Sequence, residues 1–211
     1  MKAVIFDLDG TLLDVSESIF WQYEVLTREF NGFQASREAI TAALKSGKQE
    51  GTRQLVTNMR APFDRVEQRR DQLRAESLQH LRLYPHVTEL LTILNRLGTR
   101  VAVLAGDSHD TSEHVERLGL APHLTVLVTP DQVQHPAPHP VGVNVAMRHL
   151  DVLPHEVMVI SNLPEGITAA RKAAVHGTVG ITHGFGQPEE LRAAGADHIV
   201  HDIPSLLDVL G

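Results

Sequence analysis

The chain has 211 residues, enough for one large domain or a domain carrying a smaller insert with a sizeable core. It contains no cysteine, which excludes disulfides, thiolate metal sites and a thiol nucleophile, and suits a reducing compartment. Nineteen Lys and Arg against 26 Asp and Glu give a net charge of -7, which argues against a nucleic-acid surface while leaving room for a local anion pocket.

The first predicted element is a strand. Val4, Ile5 and Phe6 form a continuous apolar run rich in β-formers, the pattern of a strand buried on both faces in a parallel sheet. The run stops at Asp7-Leu8-Asp9-Gly10-Thr11, where alternation of an extended backbone points the two carboxylates the same way and Gly10 permits a sharp turn. A solvated turn is the plain reading of these residues, since Asp and Gly dominate turns. A calcium loop is a poor fit, because counting from Asp7 puts Thr11, Leu12 and Ser18 at positions that need an oxygen ligand, a glycine and a glutamate. Carboxylates just past the end of a first strand do lie where open parallel sheets bind ligands. The N-terminus enters this strand directly, without a basic region and cleavage site, and no apolar run approaches about eighteen residues. Secretion and membrane spanning are therefore not expected, and a cytoplasmic location is inferred.

From Leu12 to about Leu83 the strand-like runs disappear and the pattern becomes helical and charged. Asp14 or Ser16 can cap a helix through Asn31, Ser36 a second to about Leu44, and further helices are expected over about 49–59 and from Pro62 towards Leu81. Phe20, Trp21, Tyr23, Phe30 and Phe33 are expected to form the core of this helical unit, with Lys45, Lys48 and Arg53 on a solvated face. From Tyr84 onward strands and helices alternate with short connections, the signature of a doubly wound parallel sheet. Strands are predicted at 101–104, 125–128, 157–160, 179–181 and 199–200. Helices are predicted from about Pro85 to Gly98, then at 113–118, 141–150, 167–174, 189–194 and 203–210.

The motif Asp7-Leu8-Asp9-Gly10-Thr11 after an N-terminal strand, with Leu83-Tyr84-Pro85-His86 after the helical stretch and Gly195-Ala196-Asp197 before the last strand, resembles the haloacid dehalogenase (HAD) superfamily. The resemblance covers the whole chain and is strongest to phosphoglycolate phosphatase-like members with a helical type-one cap. It implies an α/β fold in which residues 1–13 and 84–211 form a Rossmann-like, doubly wound parallel sheet core and residues 14–83 an inserted all-helical cap. In active members the first Asp attacks phosphorus and the second acts as general acid and base, so Asp7 and Asp9 match those positions. The family supplies positive charge as magnesium, a lysine and hydrogen-bond donors.

The later motifs depart from that pattern. The second usually ends in a phosphate-binding Thr or Ser, where this chain has Ala105-Gly106, leaving Ser108 as the substitute donor. The Gly106-Asp107-Ser108 triplet imitates the fourth motif but sits on the wrong strand and reads as a turn. The third, often Lys-Pro-x-Pro-Asp-Pro, appears as His135-Pro136-Ala137-Pro138-His139-Pro140, so His135 takes the lysine position without its permanent charge. A metal on His135 and His139 is disfavoured, since a Pro-rich loop lacks the fixed geometry of a helical pair. The fourth motif, Gly-Asp-Ser-x-x-Asp in the family, reads Ser161-Asn162-Leu163-Pro164-Glu165-Gly166, so both metal-binding acids are replaced. Asp7, Asp9, Asn162 and Glu165 would form at best a weakened magnesium site, because Glu165 is displaced by one helical residue, about 100° around the axis.

Two functions follow from the resemblance and its departures. One is a pseudophosphatase, weak or inactive in catalysis, that binds a ligand or partner through the cap-core cleft or an outer surface. The other is an active phosphohydrolase forming an aspartyl-phosphate on Asp7 of a small phosphomonoester, of the phosphoglycolate or sugar phosphate type. A dehalogenase ranks below both, because the Asp-Gly-Thr continuation belongs to the phosphatase pattern. A small phosphorylated molecule or anion is the expected partner, with neither nucleic acid nor membrane.

Overall fold

The computed structural model describes residues 1–44, 48–57, 62–106 and 111–210. The chain divides into two compact units, one made of Met1–Asp14 and Arg82–Gly211 and the other of Val15–Leu81.

In the first unit, β1 (Ala3–Asp7) is followed by the short β2 (Leu13–Asp14). The second unit holds α1 (Ser16–Asn31), α2 (Arg37–Leu44), α3 (Lys48–Leu55) and α4 (Phe63–Glu76), closed by a 3₁₀ turn at Ser77–His80. The chain then resumes the first unit with β3 (Arg82–Leu83), α5 (Val87–Arg96), β4 (Arg100–Leu104), α6 (Thr111–Arg117), β5 (Val126–Val128) and α7 (Val141–Leu150). It ends with β6 (Val157–Ser161), α8 (Pro164–Lys172), β7 (Gly177–Ile181), α9 (Pro188–Ala193), β8 (His198–Val200) and α10 (Ile203–Leu210).

Six strands form one sheet in the order β5-β4-β1-β6-β7-β8, and every pairing is parallel. This is the doubly wound α/β fold expected from the alternating elements. The strand order reverses at β1, the kind of topological switch point at which open α/β sheets bind ligands. Burial on both faces explains the uninterrupted apolar runs, since Ala3 to Phe6 and Val157 to Ile160 are all buried. Ala3 and Ile5 share a core cluster with Val143, Ala146 and Met147 of α7, Ala169 and Ala170 of α8, and Ala173 just past its end. Strand alternation then turns Asp7 to that same face, at the open end of the sheet.

Beside the sheet, β2 and β3 pair antiparallel, Leu13 opposite Leu83. Two-residue strands leave no periodic signature, and the sequence reading contained no such ribbon. In the helical unit, Tyr23, Leu26, Ile40, Ala43, Leu55, Val56, Val66 and Leu73 form the core, with Phe20, Trp21 and Phe30 packed against it. Phe33 does not join them: it follows Gly32, whose left-handed conformation (φ 82°) ends α1, and it is 59 % exposed. Nor does Asp14 or Ser16 cap α1, because the capping position is Val15 and makes no side-chain bond. The fourth helix stops at Glu76, short of Leu81, as the backbone tightens into the 3₁₀ turn. The third is described only to Leu55, and Lys45 and Met59 lie outside the described residues. Arg53 is not simply solvated, since its guanidinium lies over the Phe63 ring at 3.6 Å from the centroid.

Candidate active site at the end of the first strand

The turn after β1 is wound on a single carbonyl. The amides of Thr11, Leu12 and Leu13 all donate to Leu8 O, at 3.3, 3.0 and 3.0 Å, and Leu8 N donates to Leu104 O of β4 at 3.0 Å. Gly10 takes a left-handed conformation (φ 76°), and a Cβ there would overlap Asn162 Nδ2. Glycine is thus required twice at this position, by backbone conformation and by space.

Thr11 fastens the turn to the end of β6. Its Oγ1 donates to Asn162 Oδ1 at 3.1 Å and accepts from Asn162 N at 3.1 Å, and both residues are fully buried. A second fastening comes from His183 after β7, whose Nε2 donates to Thr11 O at 2.9 Å. Its ring stacks on Tyr84 at 3.7 Å between centroids, and Tyr84 OH donates to His183 O at 3.1 Å. Burial lowers the His183 pKa, opposed by the bond to Thr11 and the charges of Asp14 and Asp202. Neither the His183 bond nor the stack was visible in the sequence. The hint was Thr182-His183-Gly184-Phe185-Gly186 directly after a strand, where ligand-facing loops lie.

Asp7 ends β1 with its carboxyl enclosed by protein, although the residue as a whole is only half-buried because one side borders a cavity. Ser161 Oγ donates to Asp7 Oδ2. Burial pushes the Asp7 carboxyl up to about 6; the Ser161 bond opposes this rise and the nearby Asp9 charge adds to it. Asp9, half-buried, forms an isolated bridge to Leu13 in the turn. The Asp9 charge is near enough to act on the Asp7 carboxyl, although Asp9 does not line the cavity that Asp7 borders.

The remaining sequence-predicted residues distribute unevenly around a cavity of about 320 Å³ at the sheet end. Ala105 and Gly106 line it, as do Leu104, Val128, Val159 and Gly166, while His139 and the Pro-rich loop stand at its edge. His135 is exposed and does not line it, and its ring lies 5.0 Å from that of His139. Glu165 is likewise exposed and outside the lining. Ser108 lies outside the described residues, as does Asp107. Among the described lining residues there is no lysine or arginine. Lys172, at the end of α8, gives its Nζ to Pro138 O at 3.1 Å.

Ser161 to Gly166, the segment at the fourth-motif position, joins the end of β6 to the first turn of α8. Helix α8 begins at Pro164, where the sequence pattern suggested Ile167, because proline is well suited to a first helical position. Gly166 therefore sits in the first turn, against the sheet end. A Cβ on Gly166 would lie 2.6 Å from Asp7 Oδ2 and would overlap Ser161 Oγ. The family pattern has Gly and Asp where this chain has Ser161 and Gly166, so the serine hydroxyl fills space next to the position that lost its side chain. Restoring an acid by Gly166→Asp alone, a change the motif comparison invites, is sterically blocked.

These residues do not fit a magnesium site. Magnesium demands several hard oxygens in near-octahedral array. Asn162 Oδ1 accepts from Thr11, Glu165 is exposed and outside the cavity lining, and Gly166 has no side chain, so Asp7, which accepts from Ser161 on Oδ2 only, has no acid beside it in the described lining. Asn162 Nδ2 is buried beside Gly10 with no hydrogen-bond partner among the described residues, a donor where a metal needs an acceptor. No three acidic or histidine side chains gather into a metal-holding group among the described residues.

Comparison with known proteins agrees with the fold. The haloacid dehalogenase-like hydrolase family matches residues 4–179. An N-acetylmuramic acid 6-phosphate phosphatase of Pseudomonas aeruginosa is 30 % identical, the match covering 100 % of this chain and 95 % of the relative. A phosphoglycolate phosphatase of Vibrio vulnificus is 26 % identical over 100 % of this chain and 96 % of its own. Among solved structures, a Thermotoga maritima protein provisionally described as a β-phosphoglucomutase superposes with a TM-score of 0.86 at 25 % identity, covering 100 % of this chain and 98 % of its own.

Proposed function

Since the chain belongs to the haloacid dehalogenase-like hydrolase family, we propose that it is a phosphatase-like protein that has lost efficient phosphoryl transfer and uses its sheet-end cavity to bind a small ligand. The observation that carries this reading is the Ser161–Asp7 bond beside Gly166. It gives the nucleophile position's carboxylate a neutral donor, and position 166 in the first turn of α8 carries glycine, while Glu165 in that turn is exposed and outside the cavity lining.

The physical argument is one of charge. An incoming phosphate dianion would meet the Asp7 carboxylate, with the Asp9 charge nearby and no lysine or arginine in the described lining. Two unit charges about 4 Å apart at an effective dielectric near 20 repel by about 4 kcal/mol. Each lost preorganised donor costs roughly 2.7 to 4 kcal/mol at the transition state. These losses act on one step and do not add simply, but together they are large enough to suppress turnover. What remains is a walled cavity with a carboxyl at its floor, adequate for binding.

The activities of the relatives, on N-acetylmuramic acid 6-phosphate and on phosphoglycolate, set the substrates to try. Wild type and Asp7→Asn should be screened against both, together with an aryl phosphate and a set of sugar phosphates, with and without magnesium. The reading expects no turnover above the Asp7→Asn background. A rate on any phosphomonoester that vanishes in Asp7→Asn would replace it with an active phosphohydrolase working through Asp7.

A further inference from the structure

Resting on that reading, we infer that the cavity beside Asp7 takes a compact apolar amine, its ammonium on the Asp7 carboxylate and its hydrocarbon body against Val128, Val143, Val159 and Ala169. The wall residues come from four elements. Val128 ends β5, Val159 lies in β6, Val143 is on α7 and Ala169 on α8, and all four are buried. Leu104, Val133 and Ala137 extend the apolar lining towards solvent, so that Asp7 and His139 supply the titratable side chains of the described wall. Among the described residues such a surface offers a phosphate or carboxylate no lysine or arginine, and only His139 as a titratable donor. It gives a hydrocarbon body an apolar wall, and a cation one counter-charge at Asp7.

Size supports the same class of ligand. An apolar cavity of roughly 150 Å³ holds benzene, and this one measures about 320 Å³. A single ring with a one-carbon amine arm fits, with space left over. The Ser161 bond leaves Asp7 able to accept further donors, because an ionised carboxylate offers two oxygens and about four lone-pair sites. An ammonium there would supply from the ligand the positive charge that the wall lacks, and charge-assisted bonds of that kind are the stronger ones.

The test is a set of amide NMR titrations of the full chain at pH 8 with benzylamine, benzyl alcohol and benzyl phosphate, three ligands that share one ring and differ in charge. Benzylamine is expected to shift the amides of Asp7, Leu104, Ala105 and Val159 saturably and to bind at least about tenfold tighter than the alcohol. Asp7→Asn should remove that advantage and leave the alcohol's affinity unchanged. Gly142→Leu should weaken the amine and the alcohol alike, since Gly142 lines the cavity and a Cβ there makes only ordinary contact with Val133, at 3.8 Å, so the variant is expected to fold. Equal binding of amine and alcohol, tighter binding of the phosphate, or indifference to Gly142→Leu would each overturn the proposal. None of these readouts depends on turnover. Amine binding combined with phosphatase activity would leave the ligand class standing and sink the loss of catalysis, whereas no amine binding with no activity would do the reverse.

Discussion

Ser161 Oγ donates to Asp7 Oδ2 from the neighbouring parallel strand, so the one carboxylate best placed as a nucleophile is already held by a neutral partner. Across the same gap lies Gly166, with no side chain to compete. Most of what distinguishes this site from the family pattern follows from that triangle of residues.

The first prediction concerns stability. The folded-state pKa of Asp7 is about 6 against an ordinary 3.8, so the native protein holds this proton more tightly than the unfolded chain does. The group's contribution to stability is therefore greatest below about pH 3.8, falls as pH rises towards 6, and stays at its minimum above that. The difference amounts to at most roughly 3 kcal/mol, because the carboxyl borders a cavity that water can reach. Asp7→Asn removes the titration. Urea unfolding at pH 4, 5, 6 and 7 should show wild type losing stability relative to Asp7→Asn across this range, with the variant the more stable at pH 7. Parallel curves would mean that Asp7 titrates normally.

The second prediction concerns space. Gly166→Asp should destabilise by about 3 kcal/mol or more, because its Cβ collides with both Ser161 and Asp7. Adding Ser161→Gly, which recreates the family's small residue, should return part of that loss, with a coupling of about 0.5 to 3 kcal/mol. A double-mutant cycle on denaturant unfolding reads this directly. Strict additivity would show that the two positions do not share the gap.

A third prediction separates glycines that need their lack of a side chain from one that does not. At Gly186 a Cβ would overlap Asn162 O, a backbone atom with little freedom to move, whereas at Gly106 nothing lies within 4 Å. Gly186→Ala should cost about 1 to 3 kcal/mol. Gly106→Ala should stay within about 0.5 kcal/mol of wild type. Thermal unfolding of the two variants side by side makes the comparison, and similar shifts would contradict the close packing of the His183–Gly186 loop on Asn162.

Much of this was legible in the sequence, for identifiable reasons. The run Val4-Ile5-Phe6 announces a strand buried on both faces, and Val141–Leu150 has the same bounds in sequence and structure because Pro140 precedes it and the chain turns left-handed at Asp151. The spacing of Asp7 and Asp9 also announces that the charge of one acts on the other. Less legible was anything that depends on volume. Reading the fourth motif position by position records the lost acids at 162 and 166, but not that a serine hydroxyl has moved into the vacated space. The cavity needs the ends of several strands and two helices brought together, and no local pattern encodes that. His135 was the natural candidate for the lysine position, yet His139, four residues on, lines the cavity, because the course of a Pro-rich loop cannot be read from periodicity. The Tyr84–His183 stack joins residues 99 apart in the chain.

The central proposal is that Asp7 does not drive phosphoryl transfer, because its described surroundings supply neither a set of metal ligands nor a lysine or arginine. The most direct test is the initial rate of aryl phosphate hydrolysis by wild type, by Asp7→Asn and by the triple variant Ser161→Gly/Asn162→Asp/Gly166→Asp, each across a magnesium titration. The account predicts that wild type matches Asp7→Asn at every magnesium concentration and that only the triple variant gains magnesium-dependent turnover. Magnesium-stimulated hydrolysis by wild type that disappears in Asp7→Asn would contradict it.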